Sequence, residues 1–399
     1  MTLFLSGFDP LAIVRAAGPF IGILLVLVVV HEFGHFVAAK ALGIKVLEFG
    51  VGFPPRAFTY MRRNGTEYTV NWLPIGGFVR LLGEEDPSDP QSLAAAARWK
   101  RLTVLFAGVG MNFVLAILLM TVSYMLPRER SLSMAEVTSI SPGSPAATAP
   151  VSATTAGAPT PVQGLQPGDI VTKVDGADIK NTGELVYQNR LHLGQTQDWT
   201  IDRDGQVLKA QVYARWHPPA GQGATGITIA PPSTCSPAQV VGGATNCQLL
   251  YPKSEHVSYA PWTALTKGTG ALWDTVILTK NELQVRFGGS GAGGNSADNG
   301  PAFQGPVGIA SATGQIIQED GWRALIELSA LLSLNLAVFN VLPIPMLDGG
   351  RIFIVLIEIF RGGRRIAPEK EALVHLTGFA VLMALVVVVT FFDISRLVT

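Results

Sequence analysis

Charge is what this chain has little of. Only 15% of its 399 residues are Asp, Glu, Lys or Arg, in equal numbers of each sign, so the formal net charge is zero. Neutrality gives no electrostatic reason to expect a polyanionic partner, and nothing resembles a nucleic-acid-binding face. Hydrophobic residues make up 48% and the mean hydropathy is +0.35, too apolar for an ordinary soluble domain of this length. A cleavable signal peptide is not evident: the first apolar run continues into a polar motif where a small-residue cleavage site would stand. The composition fits a polytopic membrane protein with an aqueous domain.

Three stretches are long and apolar enough to span a bilayer, residues 19–42, 102–126 and 373–392. A fourth, 324–342, is apolar but carries Glu327, Asn335 and Asn340. Residues 40–101 hold nine Lys and Arg, and 349–371 hold five. The segment 127–320 holds twelve over a far greater length, against fifteen Asp and Glu. Both short basic loops are therefore expected in the cytoplasm and the long segment outside. The only cysteines, Cys235 and Cys247, fall in that outer segment, where they can close a disulfide loop or stand as free thiols.

His31-Glu32-Phe33-Gly34-His35 follows directly on ten apolar residues, 21–30. On a helix the two histidines lie one turn apart on one face, so both imidazoles can reach one metal ion. Glu32 projects beside them, close enough to take a proton from an attacking water. The preceding turns are apolar on every side, the pattern of a membrane span. Ionisable groups at that depth cost roughly 2.5–3.5 kcal/mol each, which a bound cation offsets; a packing role or a proton path is the alternative. Far along the chain, Pro343 and Pro345 break the helix ahead of Asp348. Irregular backbone at membrane depth is tolerated only against protein or a water-filled cavity. Asp348 is thus placed as a third ligand that leaves a fourth position open. The plainer reading is an aspartate capping a turn.

Residues 45–83 alternate apolar and polar positions around the hairpin turn Arg63-Asn64-Gly65-Thr66. Within them, Gly76 and Gly77 leave part of a strand edge free of side chains, which either receives an extended peptide or belongs to an ordinary hairpin. Gly108 and Asn112, four apart in the second span, favour close helix packing with one interhelical hydrogen bond. Residues 135–216 read as a small domain of short strands, clearest where Pro167-Gly168-Asp169 and Asp175-Gly176 supply turns around a strand at 170–174. Residues 145–161 read as a surface loop and 217–259 as irregular. A helix at 261–286 has the spacing of one lying on the membrane surface, and 288–300 reads as a linker.

These residues bring the chain close to a known group. It resembles the site-two protease family of intramembrane zinc metalloproteases, in the bacterial, regulator of sigma-E protease-like subgroup that carries an external PDZ domain. The likeness rests on His31–His35, the Gly76-Gly77 hairpin, Gly108 to Asn112, Gly164 to Gly176, Gly305-Pro306-Val307-Gly308 and Asn335 to Gly350. It implies that His31, His35 and Asp348 bind Zn2+ and that Glu32 is the general base. It also implies that Asn335, Asn340 and the Gly76-Gly77 edge hold the unwound substrate backbone. Val109 stands where the family usually has proline, which bears on local helix shape and not on catalysis. The extra loop at 145–161, with no clear carboxylate-binding signature, points to a PDZ domain acting as a steric filter.

The implied architecture has about four transmembrane helices, a membrane-associated β-hairpin sheet and one extracytoplasmic PDZ-like α+β domain. Its segments are a first span with the histidine motif at 1–44, a re-entrant hairpin and cytoplasmic loop at 45–101, and a second span at 102–127. The PDZ-like domain follows at 132–217, then an extracytoplasmic linker with an amphipathic helix at 218–322. A third span with the Leu-Asp-Gly motif occupies 323–350, a cytoplasmic loop 351–371 and a fourth span 372–393. The implied activity is hydrolysis of peptide bonds within transmembrane helices, in the inner membrane, with the active site towards the cytoplasm. Such enzymes cut proteins already trimmed outside, often anti-sigma factors, and some clear remnant signal peptides. An ion- or proton-coupled transporter would scatter ionisable groups along several spans, whereas here they cluster at one end of two. A catalytically silent PDZ-bearing scaffold would have no reason to keep such costly groups at bilayer depth.

Overall fold

The apolar run ahead of His31 offers water no face, and it folds as one helix, α1 (Pro10–Ala41). The helix stops where Gly43 takes φ +77°, and the N–H groups of Leu42, Gly43 and Ile44 return to the carbonyls of Ala38, Lys40 and Ala39. The computed structural model describes residues 10–84, 86–153, 163–232, 253–287, 305–319, 321–362 and 366–398. Cys235, Cys247 and the linker at 288–300 lie outside them. Four helices are long and apolar enough to cross a membrane: Gly18–Ala41 of α1, α2 (Arg98–Met125), α7 (Gly321–Val341) and Glu369–Ser395 of α9 (Pro368–Val398). By length and composition, this is a multi-pass membrane protein.

The chain divides into two units, each with its own packing. The first comprises Met1–Met125, Ala260–Leu272 and Phe303–Thr399. Its sheet is made of β1 (Val46–Arg63) and β2 (Thr66–Leu81), joined at Asn64 and Gly65, both left-handed at φ 51° and 74°. Each strand is long enough to contribute twice. Phe49 pairs with Val79 on one side and Tyr68 on the other, and Gly50 with Phe78 and Thr69. The sheet is thus four segments wide, in the order 77–81, 46–51, 67–70, 58–63. The segment 77–81 forms one edge and lies nearest α1.

Around α2 the helices close on small apolar clusters. Ala116 and Met120 pack with Leu272 of α5 (Pro261–Phe287) and with Ala330 and Leu334 of α7. Leu105 packs with Ile352 and Val355 of α8 (Asp348–Phe360). That helix corrects the sequence reading of 351–371 as a cytoplasmic loop. Its arginines suggested a loop, but Ile352 and Val355, one helical turn apart, bury against Leu102 and Leu105. A second helix, α6 (Pro306–Glu319), stands inside the stretch read as an extracytoplasmic linker. It packs on α1, α7 and α9, and Asp393 of α9 accepts from the N–H groups of Gly305 and Gly308 at its start, at 3.1 and 2.9 Å.

The second unit comprises Leu126–Tyr259 and Trp273–Ala302. It contains β3 (Arg128–Ser131), β4 (Glu136–Ile140), α3 (Pro145–Thr148), β5 (Val151–Ala153), β6 (Ile170–Val174) and β7 (Ala177–Asp178). Then come α4 (Thr182–Leu191), β8 (Thr196–Arg203), β9 (Gln206–Tyr213), β10 (Ile227–Ala230) and β11 (Ser254–Val257). The main sheet runs β10-β4-β6-β8-β9-β5, with β7 on β6, and β11 pairs with β3 separately. Trp199, Leu185, Val171 and Val212 fill its core. The Pro167-Gly168-Asp169 turn is fixed by the Asp169 carboxylate, which accepts from Gln166 N–H at 2.8 Å and from Arg203 Nε at 2.6 Å.

Two sequence readings change here. β10 and β11 lie in the stretch read as irregular, because each is a four-residue strand recognisable only by its partner. Residues 145–153, read as loop, form α3 under a Ser144 cap, then a strand on β9.

A buried ion pair joins α2 to α8: Arg101 Nη1 donates to Glu358 Oε2 at 2.7 Å, with both side chains under one-tenth exposed. Removing the carboxylate alone leaves a buried guanidinium uncompensated. Glu358→Leu is expected to destabilise the protein by about 3–5 kcal/mol. Arg101→Met combined with Glu358→Leu is expected to recover most of that loss in denaturant unfolding of the detergent-solubilised chain.

Candidate metal centre

The helix places His31 and His35 one above the other, and α8 brings Asp348 to meet them. His31 Nε2 lies 2.9 Å from Asp348 Oδ2, His35 Nε2 lies 3.2 Å from the same oxygen, and the two Nε2 atoms are 3.2 Å apart. Both imidazoles are buried and Asp348 is mostly so. Among the described residues this is the only group of three or more His, Cys, Asp or Glu side chains able to share an ion.

What holds the rings is α2. His35 Nδ1 donates to the carbonyl of Val104 at 2.8 Å, and His31 Nδ1 lies 3.2 Å from Asn112 Nδ2. Two glycines allow this approach. A Cβ on Gly34 would collide with the carbonyl of Ala107, and a Cβ on Gly108 would collide with the His35 ring and sit 2.9 Å from His31 Cε1. The close helix packing and interhelical hydrogen bond expected of Gly108 and Asn112 are present, and the same glycine forms the floor of the candidate metal centre.

Asp348 is braced from several sides. The backbone of 342–347 turns back on α7, with Met346 at φ +83° and its N–H donating to His375 Nδ1 of α9 at 3.0 Å. A Cβ on Gly349 would collide with the carbonyls of Val341 and Leu342, and one on Gly350 would lie 2.5 Å from Ile344 O. Both glycines after Asp348 are therefore required for α8 to begin there. Arg351 completes the brace with a 2.6 Å ion pair to Glu84.

Glu32 points towards the sheet. Its Oε2 accepts the N–H of Val79 at 3.0 Å, on the edge segment 77–81. Gly76 and Gly77 are buried, and ideal Cβ atoms there would lie 3.2 Å from Val28 Cγ1 and 3.1 Å from Val29 Cγ2. They let the strand lie directly on α1 just before the histidines. Aromatic rings Phe33, Phe36, Phe49 and Tyr68 pack between helix and sheet at centroid distances of 5.3–6.5 Å. Asn335 is exposed and Asn340 buried; five residues apart on α7, they lie on different faces of the helix.

Two imidazoles and a carboxylate, with their donor atoms within 4.8 Å of one another, form the N/O set that zinc takes in hydrolytic sites with an open fourth position. The donor set fits the metal. Residues 19–385 match the profile of peptidase family M50. The chain belongs to that family. A relative from Clostridium perfringens is 33% identical over 371 residues, covering 92% of this chain and 95% of that protein. Zinc metalloprotease RasP of Shouchella clausii is 27% identical over 463 aligned positions, with 95% and 98% covered. RasP of Oceanobacillus iheyensis is likewise 27% identical, with 93% and 97% covered. Membership makes this chain a zinc metalloprotease set in membrane-spanning helices.

If Gly108 is the floor, a methyl group there moves the rings. Gly108→Ala is expected to lower zinc retention after gel filtration by about tenfold or more. Gly110→Ala, two residues on with open space around it, is expected to leave zinc content unchanged.

Proposed function

We propose that this protein hydrolyses peptide bonds within transmembrane helices of other membrane proteins, with His31, His35 and Asp348 as the zinc ligands and Glu32 as the base. The observation that carries the reading is the convergence of those three side chains, across 317 residues of sequence, beside a glutamate of the same motif. Zinc, when bound, polarises the scissile carbonyl and makes a water acidic enough to attack near neutral pH. Glu32 takes the proton of that water and returns it to the leaving amine.

A helical substrate hides its carbonyls in its own hydrogen bonds and must unwind before cleavage. The edge segment 77–81 supports that step, since among the described residues it pairs with β1 on one side only and its Val79 N–H faces Glu32. Asn335, exposed on α7, is a second candidate contact for an unwound backbone. Asn340, on the same helix, is buried. Large apolar side chains exposed at the far end of the sheet, Phe53, Phe58, Trp72 and Leu73, support a sheet that meets lipid.

The second unit is read as a PDZ-like domain on its strand order and the α4 helix, and as a size filter for substrates. The excess of Lys and Arg in 40–101 supports a cytoplasmic position for the active site. Membrane-anchored regulators such as anti-sigma factors, and remnant signal peptides, are the substrate class this arrangement suits.

Glu32→Gln is expected to retain one zinc per chain while cleaving a fluorogenic transmembrane peptide in detergent about 10²–10⁴-fold more slowly. A strong zinc chelator is expected to abolish cleavage by the native chain, and added zinc to restore it. Full cleavage by Glu32→Gln would refute the assigned base.

A further inference from the structure

The free edge of the sheet carries a second carboxylate. In an antiparallel pair, successive N–H groups point to opposite sides of a strand. Leu82 N–H donates to the carbonyl of Lys45 at 2.9 Å, towards β1, so the N–H groups of Leu81 and Val79 point the other way, off the edge. Each meets a glutamate. Val79 N–H donates to Glu32 Oε2 at 3.0 Å, and Leu81 N–H donates to Glu84 Oε1 at 3.4 Å.

The backbone places Glu84 there. Gly83 is left-handed at φ +49°, and a Cβ on it would collide with the Asp86 carbonyl and with Ser92 Cβ. The N–H groups of Leu93 and Ala94 donate to the carbonyls of Leu82 and Gly83 at 2.9 and 3.0 Å, which pins the turn that swings Glu84 back over the edge. The two contacts of the Glu84 carboxylate are unequal. Its distance to the Leu81 amide is long for an N–H···O bond, whereas Arg351 Nη1 donates to its other oxygen at 2.6 Å, a short ionic contact and the stronger of the two. Arg351 stands three residues beyond Asp348, in the first turn of α8. Glu84 is thus held in place from α8 more than by the strand it covers. A peptide carbonyl arriving at Leu81 meets a second acceptor, with a single N–H between them.

We propose that Glu84 is a specificity-determining residue, a stop that ends substrate pairing at Val79. A substrate strand laid on segment 77–81 pairs as far as Val79 and turns away before Leu81, so the unwound stretch is short at that end. The inference rests on the reading of this edge as the substrate's partner. Bracing of α8 through Arg351 would, by itself, change the rate on every substrate by one factor. A stop changes it position by position.

The test places single prolines in turn along the fluorogenic transmembrane peptide, outside the scissile bond, and compares cleavage by the full-length native chain in detergent with cleavage by Glu84→Ala. Proline lacks the N–H that a ladder uses and is poorly tolerated where a strand is paired. Its effect on helix unwinding is common to both chains, so the ratio of their rates isolates the edge. One additional position, two residues beyond the last position sensitive in the native chain, is expected to cost Glu84→Ala about fivefold more than it costs the native chain. A ratio that stays flat along the peptide would overturn the stop. No cleavage of any peptide by the zinc-loaded native chain would instead remove the proposed function, and the stop with it. Should Glu84→Ala fail to fold or to cleave, amide NMR of the native chain with a peptide whose scissile bond is reduced decides. The Val79 signal is expected to move and the Leu81 signal to stay, and movement of both would sink the stop.

Discussion

The chemistry of this protein depends on two helices touching through glycine. Gly34 of α1 lies on the Ala107 carbonyl, and the imidazoles of α1 lie on the Cα of Gly108. Among lipid tails, burying apolar surface does little to join helices, so association relies on close packing and interhelical hydrogen bonds. At that contact distance α2 supplies both partners of the rings, the Val104 carbonyl and the Asn112 amide. A bulkier pair of residues would separate the helices and leave both imidazoles free to rotate.

Asp348 reaches the two histidines by a different principle. Asp348 is 317 residues from His31, yet loop-closure entropy grows only with the logarithm of length, so distance in sequence costs little. What must be supplied is bracing, and it comes from both ends of α8. Glu358 is held by Arg101, Arg351 by Glu84, and the turn before Asp348 by His375 and the paired glycines. The candidate metal centre therefore joins five separate stretches of chain: α1, the loop at Glu84, α2, the turn into α8 with that helix, and α9.

The parts legible in sequence were those governed by local periodicity. Two histidines four positions apart on an apolar helix define a shared face wherever that helix packs, and Asn64-Gly65 demands left-handed backbone wherever its strands go. The parts that were not legible depend on partners. Glycines 34, 349 and 350 carry no side chain to signal their use, and what each needs is a neighbour outside its own turn. α8 was obscured by its charges, Arg351 paired with Glu84 and Glu358 paired with Arg101 of α2, and α6 by its distance from the runs that mark long spans. β10, only four residues long, gains its identity from β4. The same applies to Asn335 and Asn340, whose spacing looks like one motif and whose helix separates them.

The bond between Glu32 and Val79 gives one amide hydrogen two claimants. An extended segment joining the free edge of the sheet needs that hydrogen for its own carbonyl, and the resting glutamate already holds it. A strand added at that edge must therefore displace the Glu32 carboxylate from Val79.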